Sequence, residues 1–121
     1  MATIFKAYKY PGGVIGFPRI VLRSTAFKSL NSNARALMLE FQDFWRPHEP
    51  AIHFSVRRAA NLLNISPNTA CRAFKELEEH GFITLKEESN WLNGKARVYI
   101  LNWLPRGNKE PTNEWMNWSE N

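Results

Sequence analysis

The sequence predicts an α+β domain, mainly α with a small β-hairpin towards its C-terminal end. Three observations lead there: apolar residues recur at helical spacing over 32–45, two capped helix-like segments follow within 55–80, and two β-branched, aromatic runs flank Asn93-Gly94. The 121 residues, 44% hydrophobic and 22% charged with a mean hydropathy of -0.43, suit one compact domain and exclude a wholly disordered or collagen-like chain. No stretch approaches the roughly 20 apolar residues of a bilayer span, and the N-terminus lacks the basic start and apolar run of a secretory signal. A cytoplasmic chain with no membrane partner is therefore expected. Cys71 is the only cysteine, which excludes an intrachain disulfide and a multi-cysteine zinc site.

Residues 1–17 carry Pro11, Gly12, Gly13 and Gly16 among scattered aromatics and read as an extended N-terminal arm. The run 19–30 fits either a strand or short helical turns; with Ser24 or Thr25 available as a cap, short helices are the expectation. Ala34, Leu37, Met38, Phe41 and Trp45 form one stripe after the capping pair Asn31 and Ser32, predicting an amphipathic helix over 32–45 that Pro47 and Pro50 stop. Ile52-His53-Phe54 is a candidate edge strand. Ser55 then stands as an N-cap before a short helix over 56–63, with Val56, Ala59, Ala60 and Leu63 on one side. Ser66-Pro67 is an N-cap followed by proline at the first helical position, and the helix it starts runs through 67–80 to Gly81. Residues 82–86 and 96–101 read as paired strands joined through Asn93-Gly94. A tail over 105–121 carries Trp115 and Trp118.

Helix, short strand, short helix, tight turn, helix and hairpin, in that order, make a winged helix-turn-helix domain over 18–104, with 67–80 as recognition helix and 82–103 as wing. On the 67–80 helix, Ala70, Ala73, Phe74 and Leu77 fall within about 100° of one another. The opposite side presents Asn68, Arg72, Lys75 and Glu79, which include groups able to bond base edges or phosphates. The spacings Arg72-Glu76 and Lys75-Glu79 also suit exposed helical ion pairs.

The stretch from Phe54 to Ile83, with its Ser66-Pro67-Asn68-Thr69 turn and its Leu77-Glu78-Glu79-His80-Gly81 ending, resembles the winged helix-turn-helix core of GntR-type bacterial regulators. It is also similar to small winged-helix proteins of phages, plasmids and integrated elements. The resemblance covers about 30 residues and implies DNA contact by Ser66, Asn68, Thr69 and Arg72. Pro67 stands where GntR-type proteins often carry arginine, so their operator preference does not transfer. No effector-binding domain is recognisable after the wing, and a small-molecule effector is not indicated.

Charge distribution agrees with an anionic partner. The net charge is +5; residues 51–75 hold Arg57, Arg58, Arg72 and Lys75 without an acid, whereas 76–88 hold five glutamates against Lys86. Arg72 and Lys75 join Ser66, Asn68 and Thr69 as expected base-reading residues. Ser55, Arg57 and Arg58, at the start of the helix that crosses the backbone, are expected on phosphates, and Lys95 and Arg97 on the flank through the wing. Trp91 sits beside the wing tip. Trp103, Trp115 and Trp118 are read as packing or dimer contacts, because stacking platforms spread aromatics over a sheet face.

Catalysis is not expected. Cys71 and His80 lie about 180° apart on one helix, His48 and His53 lack a third ligand at metal spacing, and no phosphate-binding glycine loop is present. The sequence thus predicts a sequence-specific regulator of transcription, of bacterial or phage type, that binds double-stranded DNA as a homodimer without cofactor or metal. A replication-initiation or recombination-directing factor of a mobile element, and a winged-helix protein-interaction module acting through its aromatic tail, are the alternatives.

Overall fold

Four helices begin where a short polar side chain takes up an otherwise free backbone N–H. Ser24 Oγ accepts from Phe27 N at 3.1 Å, Asn31 Oδ1 from Ala34 N at 2.9 Å, Ser55 Oγ from Arg58 N at 3.1 Å and Ser66 Oγ from Thr69 N at 3.2 Å. In the computed structural model, which describes residues 10–87 and 97–120, these caps start α2 (Thr25–Lys28), α3 (Ser32–Phe44), α4 (Val56–Leu63) and α5 (Pro67–Glu79). A further short helix, α1 (Arg19–Leu22), follows Pro18. The run 19–30 therefore resolves into two short helices, and Ser24 explains the break: its hydroxyl donates to Val21 O at 2.7 Å while capping the next turn.

Three strands complete the α+β architecture of the described residues. β3 (Val98–Leu101) lies between β1 (Ile52–His53) and β2 (Ile83–Glu87), antiparallel to both. Ile52 faces Tyr99, and Ile83 and Thr84 face Leu101 and Ile100. A register irregularity between Leu85 and Glu87 ends the regular ladder of β2. The expected turn at Asn93-Gly94 lies outside the described residues.

The core forms where the helices meet this sheet. Phe41 of α3, Phe54 before α4, Phe74 of α5 and Tyr99 of β3 are all essentially inaccessible. Phe41 meets Phe54, Phe74 and Tyr99 edge-on with centroids 5.0, 5.6 and 5.5 Å away, and Phe74 stacks on Tyr99 at 5.3 Å. The Tyr99 hydroxyl has no partner of good hydrogen-bond geometry. Burial pushes its pKa above the ordinary 10.0, an effect that the nearby Arg97 partly opposes.

Segments near both ends of the described residues are drawn onto this core. Phe17 packs against Phe27 and Trp103, and the buried amide of Gln42 donates to Gly16 O while accepting from Trp103 Nε1. At the other end, a 3₁₀ turn (Glu114–Asn117) places Trp115, only 3% exposed, parallel to Phe82 at 5.9 Å. Trp118 stacks on His80 at 4.5 Å. Buried Asn102 ties these pieces together: its Nδ2 donates to Gly81 O and Thr84 Oγ1, and its backbone carbonyl accepts from Asn113 N at 2.8 Å. Trp103 and Trp115 are thus packing residues.

Gly81 permits the tail to close on α5. Its φ is +81°, and a Cβ there would stand 2.9 Å from Glu114 C and Trp115 N. Gly81→Ala is therefore expected to destabilise the protein by about 2–4 kcal/mol, read from urea unfolding, with Trp115 fluorescence shifting as the tail lifts. Tyr99→Phe should change stability near pH 7 by less than about 1 kcal/mol, since the buried hydroxyl has only its contact with Arg97 to lose. A raised folded-state pKa gives stability that is complete below pH 10 and lost as pH rises through the folded value. Unfolding scans above pH 10 should accordingly fall less steeply for Tyr99→Phe than for the parent.

Candidate nucleic-acid interface

The turn between α4 and α5 is built from three residues with separate tasks. Asn64 adopts the left-handed conformation at φ +56°, which asparagine tolerates better than most side chains, and its backbone N–H closes α4. Ile65 N then bonds Ala60 O at 3.0 Å, and Ser66 caps the next helix. Pro67 at the helix start has no N–H to leave unsatisfied. This geometry brings α4 and α5 into direct contact.

Rotation of α5 about its axis is fixed by its apolar stripe. Ala70, Ala73, Phe74 and Leu77 are buried, so Asn68, Arg72, Lys75 and Glu79 face solvent together, as their spacing predicts. Asn68 stands in the first turn, where the helix dipole adds a positive partial charge. Ser66 and Thr69 differ from their neighbours: their hydroxyls lie 2.9 Å apart and Ser66 Oγ also accepts from Thr69 N. Both hydroxyls shape the helix start, while Asn68 and Arg72 extend outward.

The cations of α4 are not equivalent. Arg57 is exposed, whereas the guanidinium of Arg58, also exposed, sits 4.4 Å above the centroid of Phe44 and fastens α4 to the end of α3. Ser55 is half-buried and occupied as a cap. Arg97 is half-buried and close enough to Tyr99 to act on its hydroxyl. Lys95 and Trp91 lie outside the described residues. Within 51–75, then, Arg57, Arg58, Arg72 and Lys75 are four exposed cations with no acid between them in the sequence.

Glu76 has a different engagement from the helical pair expected with Arg72. Its Oε2 accepts from Asn31 N at 2.7 Å and its Oε1 from Asn31 Nδ2 at 3.1 Å, joining α5 to the N-terminus of α3. His80 has a comparable positioning role, with Nδ1 2.8 Å from Glu76 O and Nε2 2.8 Å from Ser29 Oγ. Neither contact was foreseen, because the partners are 45 and 51 residues away and carry no local pattern. Trp118 covers the other face of the same imidazole.

Among the described residues, no group of three or more His, Cys, Asp or Glu side chains is arranged to hold a metal ion. No helix among them is long and apolar enough to cross a membrane. Compared with known proteins, the chain matches no family model, no curated protein and no solved structure.

The different settings of Arg57 and Arg58 have a measurable consequence for stability. Arg58→Ala should cost about 0.5–1 kcal/mol through loss of the Phe44 stack, while Arg57→Ala should change stability by less than about 0.5 kcal/mol. Urea midpoints of the two variants check this.

Proposed function

We propose that α3, α4, α5 and the three-stranded sheet form a winged helix-turn-helix and that the protein is a sequence-specific, double-stranded-DNA-binding regulator of bacterial or mobile-element type. One observation carries the reading: Asn68, Arg72 and Lys75 share the solvent face of a helix whose opposite face is locked into the core. A helix fixed in this way can enter a major groove without losing its packing. Asn68 and Arg72 have the donors and acceptors that adenine and guanine edges require. Arg57 and Arg58, on the adjoining α4, supply backbone charge, with Lys75 on the flank of α5.

The chemistry is recognition without bond making. Arg72 sits one helical turn beyond Asn68, so the two side chains address neighbouring base pairs. Release of counterions from phosphates by Arg57 and Arg58 supplies affinity that is independent of sequence. Arg97, beside β3, addresses the flanking DNA in this reading, and a second copy of the chain completes the regulator. Burial of Trp115 against Phe82 supports a packing role for the tail in preference to partner capture.

Fluorescence anisotropy with the DNA upstream of the protein's own gene and a scrambled duplex of equal length tests the reading across a salt titration. Selective binding that persists at physiological salt is expected; equal binding to both duplexes that vanishes with salt contradicts it. In the same assay Arg72→Ala should lose about 1–3 kcal/mol at the specific site and narrow the gap to scrambled DNA. Arg57→Ala should weaken both duplexes together and make the salt slope shallower by about 1.

A further inference from the structure

Residues 11–15 and the outer side of α3 line one shallow groove, in which Val14, Ile15 and Leu39 are each about half exposed beside Glu40 and Asp43. A second groove begins four residues beyond Ile15. There Arg19 and Arg23 flank Ile20 and Met116, which are 62% and 52% exposed. Even fully extended, the four-residue step from Ile15 to Arg19 spans at most about 14 Å. Three residues, Gly16, Phe17 and Pro18, separate the two grooves along the chain, the first edged by acids and the second by bases.

Five large apolar side chains gathered in two neighbouring grooves differ from the single exposed ones that any surface carries. The acidic groove repels a polyanion and the basic groove repels a polycation, so neither nucleic acid nor a uniformly charged protein fits both. A second copy of this chain does fit. We infer that the two grooves share one face and together form the homodimer surface: related by a two-fold axis, each copy lays Arg19 and Arg23 against Glu40 and Asp43 of the other and buries the apolar residues between them. A two-fold contact requires a patch complementary to itself, and two neighbouring grooves of opposite charge meet that requirement.

Taken at 100° per residue, Leu39, Glu40 and Asp43 lie roughly 180° around α3 from Leu37, Met38 and Phe41. Phe41 meets Phe74 of α5, so Leu39, Glu40 and Asp43 lie on the side of α3 away from α5, and none of Asn68, Arg72 and Lys75 lines either groove. The inference deepens the homodimer of the proposed function, yet its test needs no DNA.

Sedimentation equilibrium of the full chain without nucleic acid is the experiment. The parent protein should be dimeric, and Arg19→Glu/Arg23→Glu and Glu40→Lys/Asp43→Lys should each raise the dimer dissociation constant at least about 10-fold. An equimolar mixture of the two variants should restore a dimer, because both charge contacts are then complementary again. Circular dichroism verifies that each variant folds; should one not, Ile20→Asp or Leu39→Asp replaces it with the same expected loss of dimer. A parent monomeric at about 100 µM, charge variants that dimerise like the parent, or a mixture that stays monomeric overturns the inference. A dimer that binds no DNA would contradict the proposed function alone, and a DNA-binding monomer the dimer surface alone.

Discussion

The packing of Phe74 against Phe41, Phe54 and Tyr99 is the constraint on which the rest of the fold depends. These four rings come from α5, α3, the segment entering α4 and β3, so one cluster fixes the angle between three helices and the sheet. Edge-to-face and stacked contacts between centroids 5.0 to 5.6 Å apart leave little freedom to slide. Phe74 also sets the rotation of α5 about its own axis. Asn68, Arg72 and Lys75 face outward because Phe74 and its apolar neighbours face in.

A helix held only at its middle would still pivot, and its far end is held by polar groups. Glu76 grips both the backbone and the side chain of Asn31, His80 reaches Ser29, and Trp118 closes over the imidazole. Gly81 then lets the tail lie against the helix end, while Asn102 satisfies the carbonyl of that glycine and receives the Asn113 amide. Among the acidic residues of this region, Glu76 therefore serves as a positioning group. Glu79, the acid on the solvent face of α5, stands at its last residue, about three turns from Asn68.

What was legible in the sequence is what depends on neighbours along the chain. Ser55, Ser66 and Asn31 announce their helices because a cap and its N–H lie three residues apart, and the stripe from Ala70 to Leu77 gives the buried side of α5 directly. The exposed set Asn68, Arg72, Lys75 and Glu79 follows from the same period. Contacts between distant segments left no such trace: nothing near Arg58 indicates Phe44, nothing near Glu76 indicates Asn31, and Trp115 and Trp118 do not reveal Phe82 and His80 as their partners. The hydroxyl pair of Ser66 and Thr69 was within local reach but reads equally as two free contact groups until the rotamers are seen.

The central claim is that the locked outer face of α5 meets DNA, and amide NMR during titration with duplex DNA tests it residue by residue. At low ratios of DNA to protein, the account predicts that amides of residues 55–58, 66 and 68–75 shift first and together. Those around Val14, Ile20 and Met116 should hold their positions. Shifts confined to the two grooves and the tail, with Asn68 and Arg72 unmoved, would contradict the claim and place any nucleic-acid contact away from the outer face of α5.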